Sequence, residues 1–178
     1  MKKLSMDELN RLSTEEFKSA EKTKVVIILD NIRSMHNVGS VFRTSDAFAV
    51  EKIILCGITA RPPHRDIEKS ALGATASVVW EYEESTLVAV QKLKENGYQI
   101  ISIEQTENSQ TLEDFEFSYH QPYAIIFGNE VDGVQQEVIN QSNHCIEIPQ
   151  FGTKHSFNVS VTAGIVMWQV FISHLKTK

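Results

Sequence analysis

This sequence predicts an α/β fold, a mainly parallel sheet flanked by helices, and three observations lead there. Apolar runs of strand length alternate with stretches of helical spacing along most of the 178 residues. The run Val25-Val26-Ile27-Ile28-Leu29 has no polar face, as a strand covered on both sides requires. Polar side chains also concentrate where the last strand hands over to the last helix, the edge at which open α/β sheets bind their ligands.

The elements follow in order. Two S-x-x-E capping boxes, Ser5 to Glu8 and Ser13 to Glu16, announce two short helices. Residues 1–24 therefore read as an N-terminal helical arm, and 25–178 as one catalytic-sized domain. After the first strand, residues 38–49 carry helical spacing through Val38, Val41, Phe42, Ser45 and Phe48. Strands are predicted at 52–56 and 77–80. Ser85 caps a helix through Asn96, and Gly97 stands where a left-handed residue ends such a helix. Residues 98–103 and 123–127 are strands, 135–141 a short helix, 144–148 the last strand. Pro62-Pro63-His64-Arg65 reads as a stiff loop. The final helix spans 156 to about 175 and is apolar almost all round, through Val159, Val161, Ile165, Val166, Met167, Trp168, Val170, Phe171 and Ile172. A surface helix needs one apolar stripe. One side is expected on the sheet and the other on a second subunit, which predicts a homodimer through this helix.

Composition narrows the class. An apolar content of 42 % fits a soluble globular chain, and no run approaches the length of a membrane span. The start, Met1-Lys2-Lys3-Leu4-Ser5-Met6-Asp7-Glu8, turns acidic too early for a secretory signal. Cys56 and Cys145 lie in apolar runs and read as buried, reduced thiols of a cytoplasmic protein. Trp80 and Trp168 read as core aromatics. The histidines His36, His64, His144 and His155 form no close ligand pair with each other or with Cys145, so no metal is expected. A formal charge of −6 argues against a broad sequence-independent grip on nucleic acid. That charge is uneven. Residues 33–69 hold six basic side chains against four acidic, and 81–116 hold nine acidic against two lysines. A basic face on an acidic body can still steer a polyanion.

Three segments carry candidate chemistry. The first turn lacks the glycine fingerprint of a dinucleotide site and the P-loop pattern, and reads instead Asn37-x-Gly39-x-x-x-Arg43. Val41 and Phe42 point inward, leaving Asn37, Ser40 and Arg43 on one exposed face. The bland alternative pairs Arg43 with Asp46 as a solvated helix contact. The second segment, Phe127-Gly128-Asn129-Glu130, ends a strand. Gly128 permits close backbone approach, and Glu130 places a carboxylate at the sheet edge. The third runs from Ile148-Pro149 to Ser156-Phe157-Asn158-Val159-Ser160-Val161, with Ser156 and Asn158 suited to cap the last helix. Ser156 beside His155 lacks the elbow of a hydrolase nucleophile and reads as a cap first.

Taken together and in this order, the segments resemble the SpoU-type (TrmH-like) RNA ribose 2′-O-methyltransferases of the SPOUT superfamily. The likeness covers about residues 25–175, with Phe157 where that family more often has Leu. The resemblance implies a C-terminal trefoil knot and S-adenosyl-L-methionine as methyl donor. It implies a cofactor site at Glu104, Gln105, Gly128, Ile148, Ser156 and Phe157, and a catalytic set of Arg43, Asn37, Glu130, Ser156 and Asn158. It also implies tRNA or rRNA as partner, recruited through the 1–24 arm, residues 61–69 and a second subunit. In that reading Arg43 binds phosphate and holds the ribose hydroxyl in line, since a guanidinium is a poor base. Asn37 orients Arg43 or the ribose, and Glu130 fixes the loops or counters Arg43. Two other readings stand beside it: a catalytically silent RNA-binding module of the same fold, and a small-molecule α/β enzyme unrelated to RNA, which the acidic pI favours.

Overall fold

The computed structural model describes residues 1–5, 7–153 and 156–175. His155 and Lys154 of the third segment lie outside them. Seven strands form one sheet: β1 (Thr23–Asp30), β2 (Val50–Cys56), β3 (Trp80–Glu83), β4 (Gln99–Ile103), β5 (Gln110–Thr111), β6 (Tyr123–Gly128) and β7 (His144–Glu147). Their order across the sheet is β3-β2-β1-β6-β4-β7-β5, and every pairing is parallel. The predicted fold class is therefore present, with a sheet that is wholly rather than mainly parallel.

The helices are α1 (Thr14–Ser19), α2 (Met35–Ala47), α3 (Arg65–Ala71), α4 (Ala74–Ser77), α5 (Thr86–Glu95), α6 (Gln136–Ile139) and α7 (Val159–Leu175). Strand alternation explains the two layers. Val25, Ile27 and Leu29 of β1 join the core beneath α2, α3 and α7, while Val26 and Ile28 join the core beneath α5 and α6. All five are buried, as their unbroken apolar run requires. Strand β1 meets β6 in a register that sets Asp30 opposite Gly128. The carboxyl ends of β1, β6, β4 and β7 consequently share one edge, and the three candidate segments leave from that edge.

Ser13 and Glu16 form the predicted capping box at α1, and the arm is anchored by Phe17, whose ring is buried. Ser5 and Glu8 also bond to each other, around a single 3-10 turn at Asp7–Leu9.

Several expectations need correction. Arg65, read as the end of the stiff loop 62–65, instead opens α3, a helix not expected over 65–71, because the His64 ring nitrogen accepts from Asp66 N and caps it. The strand expected at 77–80 begins at Trp80. Ser77 closes α4 instead, its hydroxyl donating to Asp46 and to the Ala74 carbonyl. Helix α7 begins at Val159, three residues after Ser156. Ser85 stands at the start of α5 without a side-chain cap bond. Trp168 is 49 % exposed rather than a core aromatic. Cys145 is only half-buried, whereas Cys56 is fully buried and its thiol is pushed up to about 12, chiefly by desolvation.

Candidate active site

The loop after β6 is built by two glycines. At Gly128 the backbone of Gly133 and Val134 folds back so closely that any Cβ would overlap it. Gly133 adopts φ +67, a left-handed conformation that suits glycine. Between them Asn129 acts as the internal brace. Its Oδ1 accepts from Val131 N at 3.0 Å and Asp132 N at 2.9 Å, and its carbonyl accepts from Gly133 N at 3.0 Å. Asn129 is buried, so these bonds replace the water it loses. The Glu104 carboxylate, at the end of β4, accepts from Val134 N at 3.0 Å and from Gln105 N at 3.0 Å.

This loop, the end of β4, the turn after β7 and the first turn of α7 enclose a pocket of about 350 Å³. Ile103, Phe127, Ile148, Phe157 and Val159 give it apolar walls, and Glu104, Gln105, Glu130, Asp132 and Glu147 give it polar ones. All six residues expected at a cofactor site, Glu104, Gln105, Gly128, Ile148, Ser156 and Phe157, line it. Sequence reasoning missed Asp132, Glu147, Gln150 and Thr162. Only Thr162 carried a usable signal, one helical turn beyond Asn158.

The catalytic candidates fall into two groups. Asn37, Glu130 and Asn158 are joined. Asn37 Nδ2 donates to Glu130 Oε1 at 2.5 Å, and Asn158 Nδ2 donates to Asn37 Oδ1 at 3.1 Å. Each comes from a different one of the three segments. Asn158 also accepts from Ser160 N at 2.9 Å through Oδ1 and so caps α7, the part expected of Ser156 as well. Ser156 is exposed on the pocket wall.

Arg43 stands apart. It projects, exposed, from α2 beyond Asn37 and does not line the pocket. Among the described residues it has no ion pair, with Asp46 or with Glu130. Asp46 instead accepts from the Ser77 hydroxyl. Asn37 is hydrogen-bonded to Glu130 and Asn158, and among the described residues no hydrogen bond joins it to Arg43. Arg33 reaches Asp132 at 3.8 Å between two exposed side chains, a weak tie to the loop after β6.

A pocket at the carboxyl edge of a parallel sheet, walled by glycine-built loops and closed by a helix start, defines an α/β protein built to hold a compact ligand. The family is resolved by comparison. The SpoU rRNA Methylase family model matches residues 24–168, and the chain belongs to that family. A Staphylococcus saprophyticus relative assigned to the TrmH family of tRNA/rRNA methyltransferases is 30 % identical over 154 residues, 86 % of this chain and 61 % of the relative. The chain thus spans about three-fifths of the length of that relative. Among solved structures, the A. aeolicus TrmH/SpoU tRNA modifying enzyme superposes with a TM-score of 0.82 at 23 % identity, covering 92 % of this chain and 82 % of that one. The AdoMet-bound rRNA methyltransferase from Sinorhizobium meliloti gives 0.78 at 23 % identity, over 84 % and 56 %. At such identities these likenesses establish the fold.

Proposed function

We propose that this protein transfers a methyl group from S-adenosyl-L-methionine to a ribose 2′-OH of tRNA or rRNA. The observation that carries the reading is the hydrogen-bonded chain Glu130–Asn37–Asn158 at the rim of the pocket, which ties all three candidate segments into one constellation. The pocket's character fits the cofactor. It is of small-molecule size, its apolar walls suit a purine and the methylenes beside the sulfur, and its carboxylates suit a sulfonium and an ammonium group. When bound, that group supplies an electrophilic methyl on sulfur.

The chain's own residues do the rest. Glu104, Gln105, Gly128, Ile148, Ser156 and Phe157 bind and orient the donor, and the apolar wall excludes water from it. The Glu130–Asn37–Asn158 chain holds the loops in fixed relation, so that an incoming hydroxyl meets a preformed rim. Arg43, without a competing carboxylate, is free to take the phosphate beside the target ribose and align the 2′-oxygen. Its distance from the pocket makes sense if it serves a donor site in a partner subunit. Bound there, the donor would supply its methyl to the 2′-oxygen that Arg43 holds in line, with the bonding pair left on sulfur and the hydroxyl proton given up to solvent.

In this reading residues 25–178 are the catalytic domain and 1–24 an accessory arm. The C-terminal segment forms a trefoil knot, in keeping with β7 set between β4 and β5 while α7 returns to α2. Arg61 and Arg65, both exposed, lie in the stretch after β2 and at the start of α3, and form part of the RNA face. Among the described residues no helix is long and apolar enough to cross a membrane.

The test is calorimetric titration with S-adenosyl-L-methionine, followed by methyl incorporation into unmodified tRNA and rRNA with ribose-resolved nucleoside analysis. Saturable binding and a 2′-O-methyl product are expected. Binding of RNA without cofactor binding or turnover would replace this reading with the silent RNA-binding module.

A further inference from the structure

Asp30 is a buried carboxylate with no cation. It ends β1, is 0 % exposed, and has no ion-pair partner among the described residues. Neutral donors surround it instead. Its Oδ1 accepts from Thr86 Oγ1 at 2.6 Å, Gln135 Nε2 at 2.7 Å and Asn31 Nδ2 at 2.8 Å, and its Oδ2 accepts from Gln135 N at 3.2 Å. Desolvating a charge without a counter-ion is expensive, and packing alone would be served as well by an apolar side chain. The expense is concentrated on one element, because two of the four bonds go to Gln135.

Gln135 follows directly on the glycine-built loop of the pocket. That loop is held at its start by the β6 register, which sets Gly128 opposite Asp30 itself. At its far end it is held by Glu104 on Val134 N and by Asp30 on Gln135. Glu104 belongs to the pocket wall; Asp30 does not. Its side chain lies with Thr86 on the α5 side of the sheet, whereas the pocket is closed by α7.

We infer that Asp30 is a positioning residue for the cofactor pocket, a buried anchor that fixes the end of the 128–135 loop from the opposite face of the sheet. This rests on the methyltransferase reading for the identity of the ligand, but the anchoring of the loop can be measured without it.

Asp30→Asn keeps the shape. If its oxygen retains the three Oδ1 donors, its NH2 faces the Gln135 N–H and that bond is lost. Gln135→Ala removes one donor from an exposed position and leaves the core intact. For Asp30→Asn, S-adenosyl-L-methionine affinity by calorimetry should weaken at least tenfold. At saturating cofactor, kcat should stay within about twofold, and KM for RNA should be unchanged. Gln135→Ala should weaken affinity by about threefold. Amide exchange at Gly133 and Gln135 should quicken in both variants, while the core amides of β1 and β6 keep their protection. A folded Asp30→Asn protein with wild-type cofactor affinity and wild-type exchange at Gln135 would overturn the inference, as would a fall in kcat at unchanged affinity. Should Asp30→Asn not fold, the Gln135→Ala exchange and affinity decide it. Should the wild-type protein bind no S-adenosyl-L-methionine, the functional reading fails, and exchange alone judges the anchor.

Discussion

Asn158 donates from Nδ2 to Asn37 Oδ1 at 3.1 Å across 121 residues of sequence. The same side chain faces both ways, since its Oδ1 caps α7 through Ser160 N. One asparagine therefore starts the last helix with its oxygen and reaches the first segment with its nitrogen. The two jobs separate by mutation. Asn158→Asp keeps the cap oxygen and discards the donor, so stability in urea should stay within about 0.5 kcal/mol. Methyl transfer should nonetheless fall at least tenfold, because the new carboxylate faces Asn37 Oδ1 and lies near Glu130. Asn158→Ala loses both and should also cost about 1 kcal/mol of stability. Equal activity in the Asp variant and the wild type would show that the Asn37 contact is irrelevant to turnover.

Gly39 makes the second prediction, one about packing. It sits in α2 facing α3, and a Cβ there would overlap the Ile67 carbonyl and the Ser70 hydroxyl. Alanine is ordinarily the better helix former by about 1 kcal/mol. Here the obstacle includes backbone, which cannot rotate away, so Gly39→Ala should destabilise the protein by about 1–3 kcal/mol. Urea midpoints measure the sign directly. A stabilised variant would mean that α3 yields freely.

Much of this was legible beforehand, and the failures have physical causes. The apolar run 25–29 fits a strand covered on both faces, and that strand is β1. Residues 65–71 were missed as a helix because Arg65, Asp66, Glu68 and Lys69 leave only Ile67 and Ala71 on a buried side, too few to give a helical period. The cap of α7 was read as Ser156 and Asn158 together, since either residue type can accept the free N–H groups. Only folding reveals which one the chain presents. In the candidate site, Gly128 and Glu130 were readable as residue types suited to a ligand edge. The brace at Asn129 was not, because it depends on how its own loop folds back on itself, and the anchor at Asp30 was not, because Thr86 and Gln135 lie in other elements.

Tyr98 gives a pH prediction. Its hydroxyl donates to Glu51 Oε1 at 2.6 Å, and burial together with that carboxylate raises the phenol above its ordinary value near 10. A raised value means that the folded state keeps its proton longer than the unfolded chain. The stabilisation is complete below the ordinary value and declines as pH climbs from there toward the folded-state value. Chemical denaturation between pH 8 and 11 should thus show an alkaline decline. In Tyr98→Phe that component should vanish, with a loss of about 1 kcal/mol at neutral pH from the missing hydrogen bond. An unchanged alkaline slope in the Phe variant would assign the decline to other groups.

The last prediction concerns α7, whose apolar girdle exceeds what its own chain uses. Val159, Ala163, Val166, Met167 and Val170 are buried against the sheet layer. Val161, Ile165 and Trp168 are exposed by 50, 36 and 49 %, and their spacing places them along one stripe of the helix. Trp168 also leans on Phe48 and Phe171, with ring centroids 6.1 Å away in each case, so the stripe has a preorganised aromatic end. Exposed tryptophan in a preformed cluster is the usual composition of an interface centre. Sedimentation at micromolar concentration should give a dimer. Trp168→Glu should shift dissociation by at least 100-fold toward monomer, because a carboxylate would be buried without a partner. Helical content should survive, since the opposite face of α7 is untouched. If Arg43 serves the partner's pocket, the monomeric variant should retain S-adenosyl-L-methionine binding and lose methyl transfer. A wild-type monomer with full activity would remove both the dimer and the shared site.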